Sequence, residues 1–140
     1  KVVLVHGVFD LLHVGHVRHL NESKAYGKIL VVSITADKFV HKGPNRPVYN
    51  EDERAEILSN INAVDFVIIN NCEDCREILS FLTPDCFVKG VDYKNMASDP
   101  NINLYSEILT AKKLGVEVRF THSAKFSTTD TIDSIKSELI

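Results

Sequence analysis

The chain has 140 residues, 44% of them hydrophobic and 25% charged, a balance that excludes a disordered or fibrous protein and allows one domain, residues 1–140, around one core. With 16 basic and 19 acidic residues the formal charge is −3, so nothing draws the chain broadly to nucleic acid or anionic membrane, and any phosphate site must be built locally. No apolar run approaches the roughly 18 residues that cross a bilayer and no basic-then-apolar leader precedes the first run, so a cytoplasmic protein is expected.

The sequence opens at Lys1 without an initiator Met, which fits a piece of a longer parent protein. Val2 to Val5 is the first predicted strand. Val14, Val17, Leu20 and Ala25 then recur at helical spacing, and Gly27 is placed to end that helix as its C′ residue. Ile29 to Ile34 reads as a second strand. His41 to Tyr49, with Gly43, Pro44 and Pro47, reads as a loop. Asn50 and Glu53 have capping-box spacing at the start of a second helix, with Ala55, Ile57, Leu58 and Ile61 as its apolar stripe. Phe66 to Ile69 is the third strand. A helix over Cys75 to Leu82 stops before Pro84. Cys86 to Val88, a loop over Gly90 to Asn101, a helix from about Ile102 to Leu114 ended by Gly115, and a strand over Val116 to Phe120 follow. A last helix begins after Ser127 and carries Ile132, Ile135 and Leu139. Short apolar runs alternating with helices predict a doubly wound, Rossmann-like α/β fold with an open parallel sheet, and ligands gathered at the carboxyl ends of its strands.

Three cysteines, Cys72, Cys75 and Cys86, form an odd set without a secretory leader, so a disulfide framework is not expected. Cys72 and Cys75 have metal-ligand spacing, but no second pair follows at a suitable distance, and they read as ordinary thiols.

Chemistry concentrates in His6-Gly7-Val8-Phe9-Asp10-Leu11-Leu12-His13-Val14-Gly15-His16, which leaves the first strand and enters the first helix. Gly7 and Gly15 let backbone approach a ligand closely, and a helix N-terminus with unsatisfied N–H groups suits phosphate. His13 and His16, three residues apart, project to one side and can donate to phosphoryl oxygens. A metal shared by this pair is the competing idea, and no third ligand stands nearby.

The stretch from Gly7 to His16, with its His13-x-Gly15-His16 motif, and Ser127-Thr128-Thr129 near the C-terminus resemble the two signatures of the cytidylyltransferase-like nucleotidyltransferases. The resemblance covers essentially the whole chain. It is strongest toward the adenylyltransferase part of ADP-heptose synthases, carried by Lys42 to Val48, Glu53-Arg54, Ala63-Val64-Asp65 and Val88 to Tyr93. Glycerol-phosphate and ethanolamine-phosphate cytidylyltransferases are similar at greater distance; His122 and Lys125 stand where their last signature has Arg and Gly, which leaves ATP and CTP both open as donor.

The resemblance implies transfer of a nucleoside monophosphate to a small phosphorylated sugar, polyol or amino alcohol, with pyrophosphate leaving. His13 and His16 would hold the α- and β-phosphates, Lys42 would neutralise triphosphate oxygens, and Ser127, Thr128 and Thr129 would bind the β- and γ-phosphates. Backbone N–H groups near Val8 and Phe9 would complete the cradle. Asp10 would fix the turn or orient a histidine tautomer, Lys89 and Asp92 would lie near base or ribose, and Arg46 and Lys125 are candidates for the acceptor's phosphate. Mg²⁺ would arrive with the triphosphate, held by phosphate oxygens and water. A homodimer is expected, partly because related transferases often pair.

The remaining residues have plainer readings. His6, His19, His41 and His122 are expected to be structural hydrogen-bonders, the charges of Glu51 to Arg54 and Lys112-Lys113 solvated faces, and Phe81, Phe87 and Phe120 core. Two rivals to the enzyme are a nucleotide-binding module without turnover and a domain that docks to a sugar kinase. The presence of both histidines, Lys42 and the Ser-Thr-Thr turn favours the enzyme.

Overall fold

A computed structural model describes residues 1–90, 103–122 and 128–139, the side chains of 128–131 excepted. Five parallel strands, β1 (Val2–Gly7), β2 (Ile29–Thr35), β3 (Phe66–Asn70), β4 (Cys86–Lys89) and β5 (Glu117–Phe120), form one sheet in the order β3-β2-β1-β4-β5. The helices are α1 (Val14–Lys24), α2 (Glu51–Ser59), α3 (Arg76–Leu82), α4 (Asn103–Lys113) and α5 (Thr128–Glu138), with a 3₁₀ turn at Asp37–Phe39.

The inner strands are apolar on both faces, and alternate residues feed two separate cores. Val3, Val5, Leu30, Val32, Ile34 and Val88 pack with Leu20 of α1 and Leu58 of α2. Leu4, Val31 and Phe87 pack on the opposite face with Ile78 and Leu79 of α3 and Ala111 of α4. The sheet is therefore covered on both sides, as the doubly wound reading requires.

Strand β1 is central: Val3 pairs with Leu30 of β2 on one side and with Cys86 of β4 on the other. Chain order reverses between β1 and β4, and in an open α/β sheet the crevice for ligands lies at the carboxyl ends of the strands at such a switch point.

The capping box of α2 forms as expected, the Asn50 side chain accepting from the Glu53 N–H at 2.8 Å and the Asn50 N–H donating to Glu53 Oε1 at 3.0 Å. Gly115 takes φ 75° just past α4, the left-handed stop that glycine supplies. Gly27 has a different role from the C′ position expected of it. Helix α1 closes earlier, at the Ala25 C-cap, and a Cβ at Gly27 would stand 2.8 Å from the Lys1 carbonyl oxygen and 2.9 Å from Val3 Cγ2. Close approach of backbone to backbone demands glycine there.

Three other expectations are corrected. Ile57, placed on the apolar stripe of α2, is exposed, and Phe81, read as core, is 82% exposed at the end of α3. Arg54, read as part of a solvated face, is buried. No helix among the described residues is long and apolar enough to cross a membrane.

Candidate active site

At the carboxyl end of β1 the backbone reverses before α1 begins, and Phe9 and Leu11 take φ of 54° and 49° within that turn. Left-handed backbone at non-glycine residues costs of order 1–3 kcal/mol each and persists only where neighbours over-determine it. Two buried charges do so here. The Asp10 carboxylate accepts from the Val48 N–H at 2.7 Å, the Tyr49 N–H at 3.0 Å and Arg46 Nε at 3.3 Å, which fastens the end of the 41–49 loop to the turn. The Arg54 guanidinium donates to the carbonyls of Val8 (2.9 Å), Thr35 (2.8 Å) and Tyr49 (3.0 Å) and to Asp37 Oδ1 (2.7 Å). Gly7 is needed because a Cβ would lie 2.9 Å from the ring of Phe9.

His13 is the N-cap of α1 and His16 its third helical residue. The two rings form a capping box of an unusual kind: His13 Nδ1 accepts from the Gly15 N–H at 3.1 Å, and His16 Nδ1 accepts from the His13 N–H at 3.2 Å. An imidazole that accepts through Nδ1 carries its proton on Nε2, so both rings are fixed in one neutral tautomer with an Nε2–H donor. Of the two roles expected of Asp10, fixing the turn is the one its contacts make; the tautomers are set by backbone N–H groups instead. The rings stack at 3.8 Å between centroids, inclined by 18°, and Phe9 packs on His16 at 5.3 Å.

Burial lowers the pKa of His13. Burial, then the neighbouring His13, His19 and Lys42, lowers that of His16 to about 4. Both effects agree with the hydrogen bonding, since a protonated ring could not accept at Nδ1. The paired rings thus offer neutral donors beside the positive end of a helix, an arrangement suited to phosphoryl oxygens.

Lys42 stands exposed on the loop, its pKa lowered by partial desolvation and then by repulsion from Arg46. The Arg46 side chain is 7% exposed and held against Asp10. Lys89, at the end of β4, is buried and its ammonium donates to the His6 carbonyl at 3.0 Å. His6 and His19 make the structural bonds expected of them, to Ser33 Oγ (3.0 Å) and Thr121 Oγ1 (2.8 Å). His41 pairs with Glu73 at the surface, 3.0 Å apart, and the His122 N–H donates to Glu22. Asp92, Lys125 and Ser127 lie outside the described residues. Thr128 and Thr129 open α5, their side chains likewise outside.

Among the described residues no group of three or more His, Cys, Asp or Glu could hold a metal. Cys75 is buried, its thiol pushed up by burial and by Glu107. Cys72 donates to Glu77 Oε2 at 2.8 Å.

Arg54 is the residue that sequence reading missed. The signal was present: it lies one turn before the buried Leu58, on the inward face of α2.

Residues 4–138 match the model of the family described as cytidylyltransferase-like. The chain belongs to that family. It is therefore of the nucleotidyltransferase class, and its His13-x-Gly15-His16 turn lies at the switch point of the sheet. Curated relatives include the bifunctional protein HldE of Sulfurimonas denitrificans, 38% identical over 99% of this chain and 28% of that protein. That of Campylobacter jejuni subsp. doylei is 36% identical over the same shares, 99% and 28%. The chain thus spans little more than a quarter of the length of these relatives. Among solved structures, a lipopolysaccharide core biosynthesis protein from Thermoplasma volcanium superposes with a TM-score of 0.68 at 31% identity, over 90% of this chain and 98% of that one. A pantothenate synthetase from Thermus thermophilus shares the fold alone, with a TM-score of 0.57 at 14% identity over 92% and 57% of the two chains.

Proposed function

We propose that the domain transfers a nucleoside monophosphate from ATP or CTP to a small phosphorylated acceptor, releasing pyrophosphate, and that the acceptor is a sugar phosphate. The observation that carries the reading is the reciprocal histidine cap, which presents two Nε2–H donors at the N-terminus of α1, at the β1/β4 switch point. The likeness to HldE and to a lipopolysaccharide core biosynthesis protein supports the sugar acceptor, and the resemblance to adenylyltransferases favours ATP.

In this reaction an oxygen of the acceptor's phosphate attacks the α-phosphorus, a new P–O bond forms, and the bond to the leaving pyrophosphate breaks. The nucleophile needs no general base, because a phosphate monoester with a second pKa near 6 is already ionised at neutral pH. The chain's work is positioning and charge stabilisation. His13 and His16 donate to α- and β-phosphate oxygens as negative charge accumulates on them. Lys42 adds a point charge from the loop that Asp10 ties to the turn. The family resemblance assigns Ser127, Thr128 and Thr129 to the β- and γ-phosphates, and Arg46 and Lys125 are the candidates for the acceptor's phosphate. Mg²⁺ would neutralise triphosphate charge, carried by the phosphate oxygens and water, since Asp10 already accepts from three donors.

A pyrophosphate-release screen crossing four nucleoside triphosphates with sugar, polyol and amino-alcohol phosphates tests the proposal. Turnover with ATP and a sugar phosphate is expected. Tight triphosphate binding with no turnover anywhere on the panel would favour a binding module instead.

A further inference from the structure

Arg54 is fully buried, yet it has no place in the chemistry described above. Its guanidinium gathers three carbonyls that belong to three segments ending at the same edge of the sheet: Val8 after β1, Thr35 closing β2 and Tyr49 before α2. Asp37 balances its charge at 2.7 Å, and its own N–H is fixed by the Asn50 carbonyl at 2.9 Å in the capped first turn of α2. The origin of the side chain is therefore rigid, and the fork is planar and always charged.

The contact with Val8 has a directional consequence. In a trans planar peptide the C=O and the following N–H point in opposite directions. With the Val8 oxygen drawn inward onto Arg54 at 2.9 Å, the N–H of Phe9 is turned outward, away from the guanidinium. Phe9 is also the residue whose φ of 54° departs from ordinary backbone and whose ring packs on His16. We propose that Arg54 is a positioning residue for nucleotide: by gripping the Val8 carbonyl it fixes the direction of the Phe9 N–H, one of the backbone donors that the family resemblance places in the phosphate cradle beside the two imidazoles. The inference rests on the nucleotidyltransferase reading above. Lysine cannot replace Arg54, because a single ammonium lacks the fork that reaches carbonyls on three segments at once.

Nuclear magnetic resonance on the ¹⁵N-labelled chain, titrated with inorganic tripolyphosphate, tests this without requiring turnover. The Phe9 amide proton is expected to move downfield and to saturate together with the His13 and His16 ring signals. In Arg54→Lys the ring signals should still respond while the Phe9 amide does not, and KM for the triphosphate should rise about ten-fold with kcat changed less, the scale of one charge-assisted hydrogen bond. A merely structural arginine would lower the melting temperature and leave the Phe9 response in the folded fraction intact, which overturns the proposal. A silent Phe9 amide beside responding histidines in the unsubstituted chain also overturns it, even where the variant does not fold, and leaves the enzyme reading standing. Histidine rings that fail to respond at all would sink both.

Discussion

Replacing His16 by Ala removes a ring that caps α1 and that the proposed reaction uses as a phosphate donor, and turnover is expected to fall at least about 10²-fold, on the scale of one lost charge-stabilising donor. His13→Ala should show a similar loss, with circular dichroism confirming that both variants fold; turnover within a few-fold of the parent would remove these residues from the mechanism. The buried histidines also set a pH dependence of stability. His16 and His19 have their pKa lowered to about 4 and His6 to about 3, burial being the first cause in each. Unfolded, each takes up its proton near the ordinary value of about 6.5. Between these limits the unfolded chain binds more protons, so their contribution is fully present above about pH 6.5 and is lost as pH falls through that window. Urea midpoints measured at pH 7.5, 6 and 5 should decline in that order, and His19→Asn should flatten the decline. A midpoint insensitive to pH over this range contradicts the assignment.

The turn between β1 and α1 is the smallest unit in which the paired histidine rings, the strained residues and their supports meet. Gly7→Ala sets a methyl group 2.9 Å from the Phe9 ring, and Phe9 is itself buried against His16. We expect a loss of about 1–3 kcal/mol, the usual range for overpacking, and an activity deficit larger than that of a control substitution at exposed Lys112 of α4, Lys112→Ala; thermal melts with steady-state assays check both. Most elements were legible in the sequence because their signals are local: apolar runs bounded β1 to β4 within a residue or two, the Asn50 to Glu53 spacing located α2, and Gly115 marked the end of α4. The HxGH motif likewise declared its helix start. What escaped reading depends on contacts between distant segments. Arg54 looks like any charged helix residue until Val8, Thr35 and Asp37 are folded against it, and Gly27 looks like a helix stop until Lys1 is seen beside it. Ile57 and Phe81 were misplaced for a related reason, since an apolar side chain near a helix end fits either face of a short helix.

At the scale of the molecule, the surface carries large apolar side chains that single-domain packing leaves uncovered: Phe66, at the start of the edge strand β3, is 60% exposed, and Phe81 is 82% exposed. We propose a homodimer, which light scattering at micromolar concentration, with and without triphosphate, should report; a monomer mass under both conditions rejects it and leaves the proposed site unaffected, since all its candidate groups belong to one chain. The position of β1 has another consequence, for assembly on the ribosome. One flank of β1 is closed early by β2, but the other awaits β4, where Val3, Leu4 and Val5 meet Cys86, Phe87 and Val88 late in the sequence. Until then a nascent or truncated chain carries three consecutive aliphatic residues on an open ladder edge, a template for pairing with the wrong strand. Fragments that stop short of Cys86 are therefore expected to aggregate, and split or circularly permuted versions need β1 and β4 delivered together.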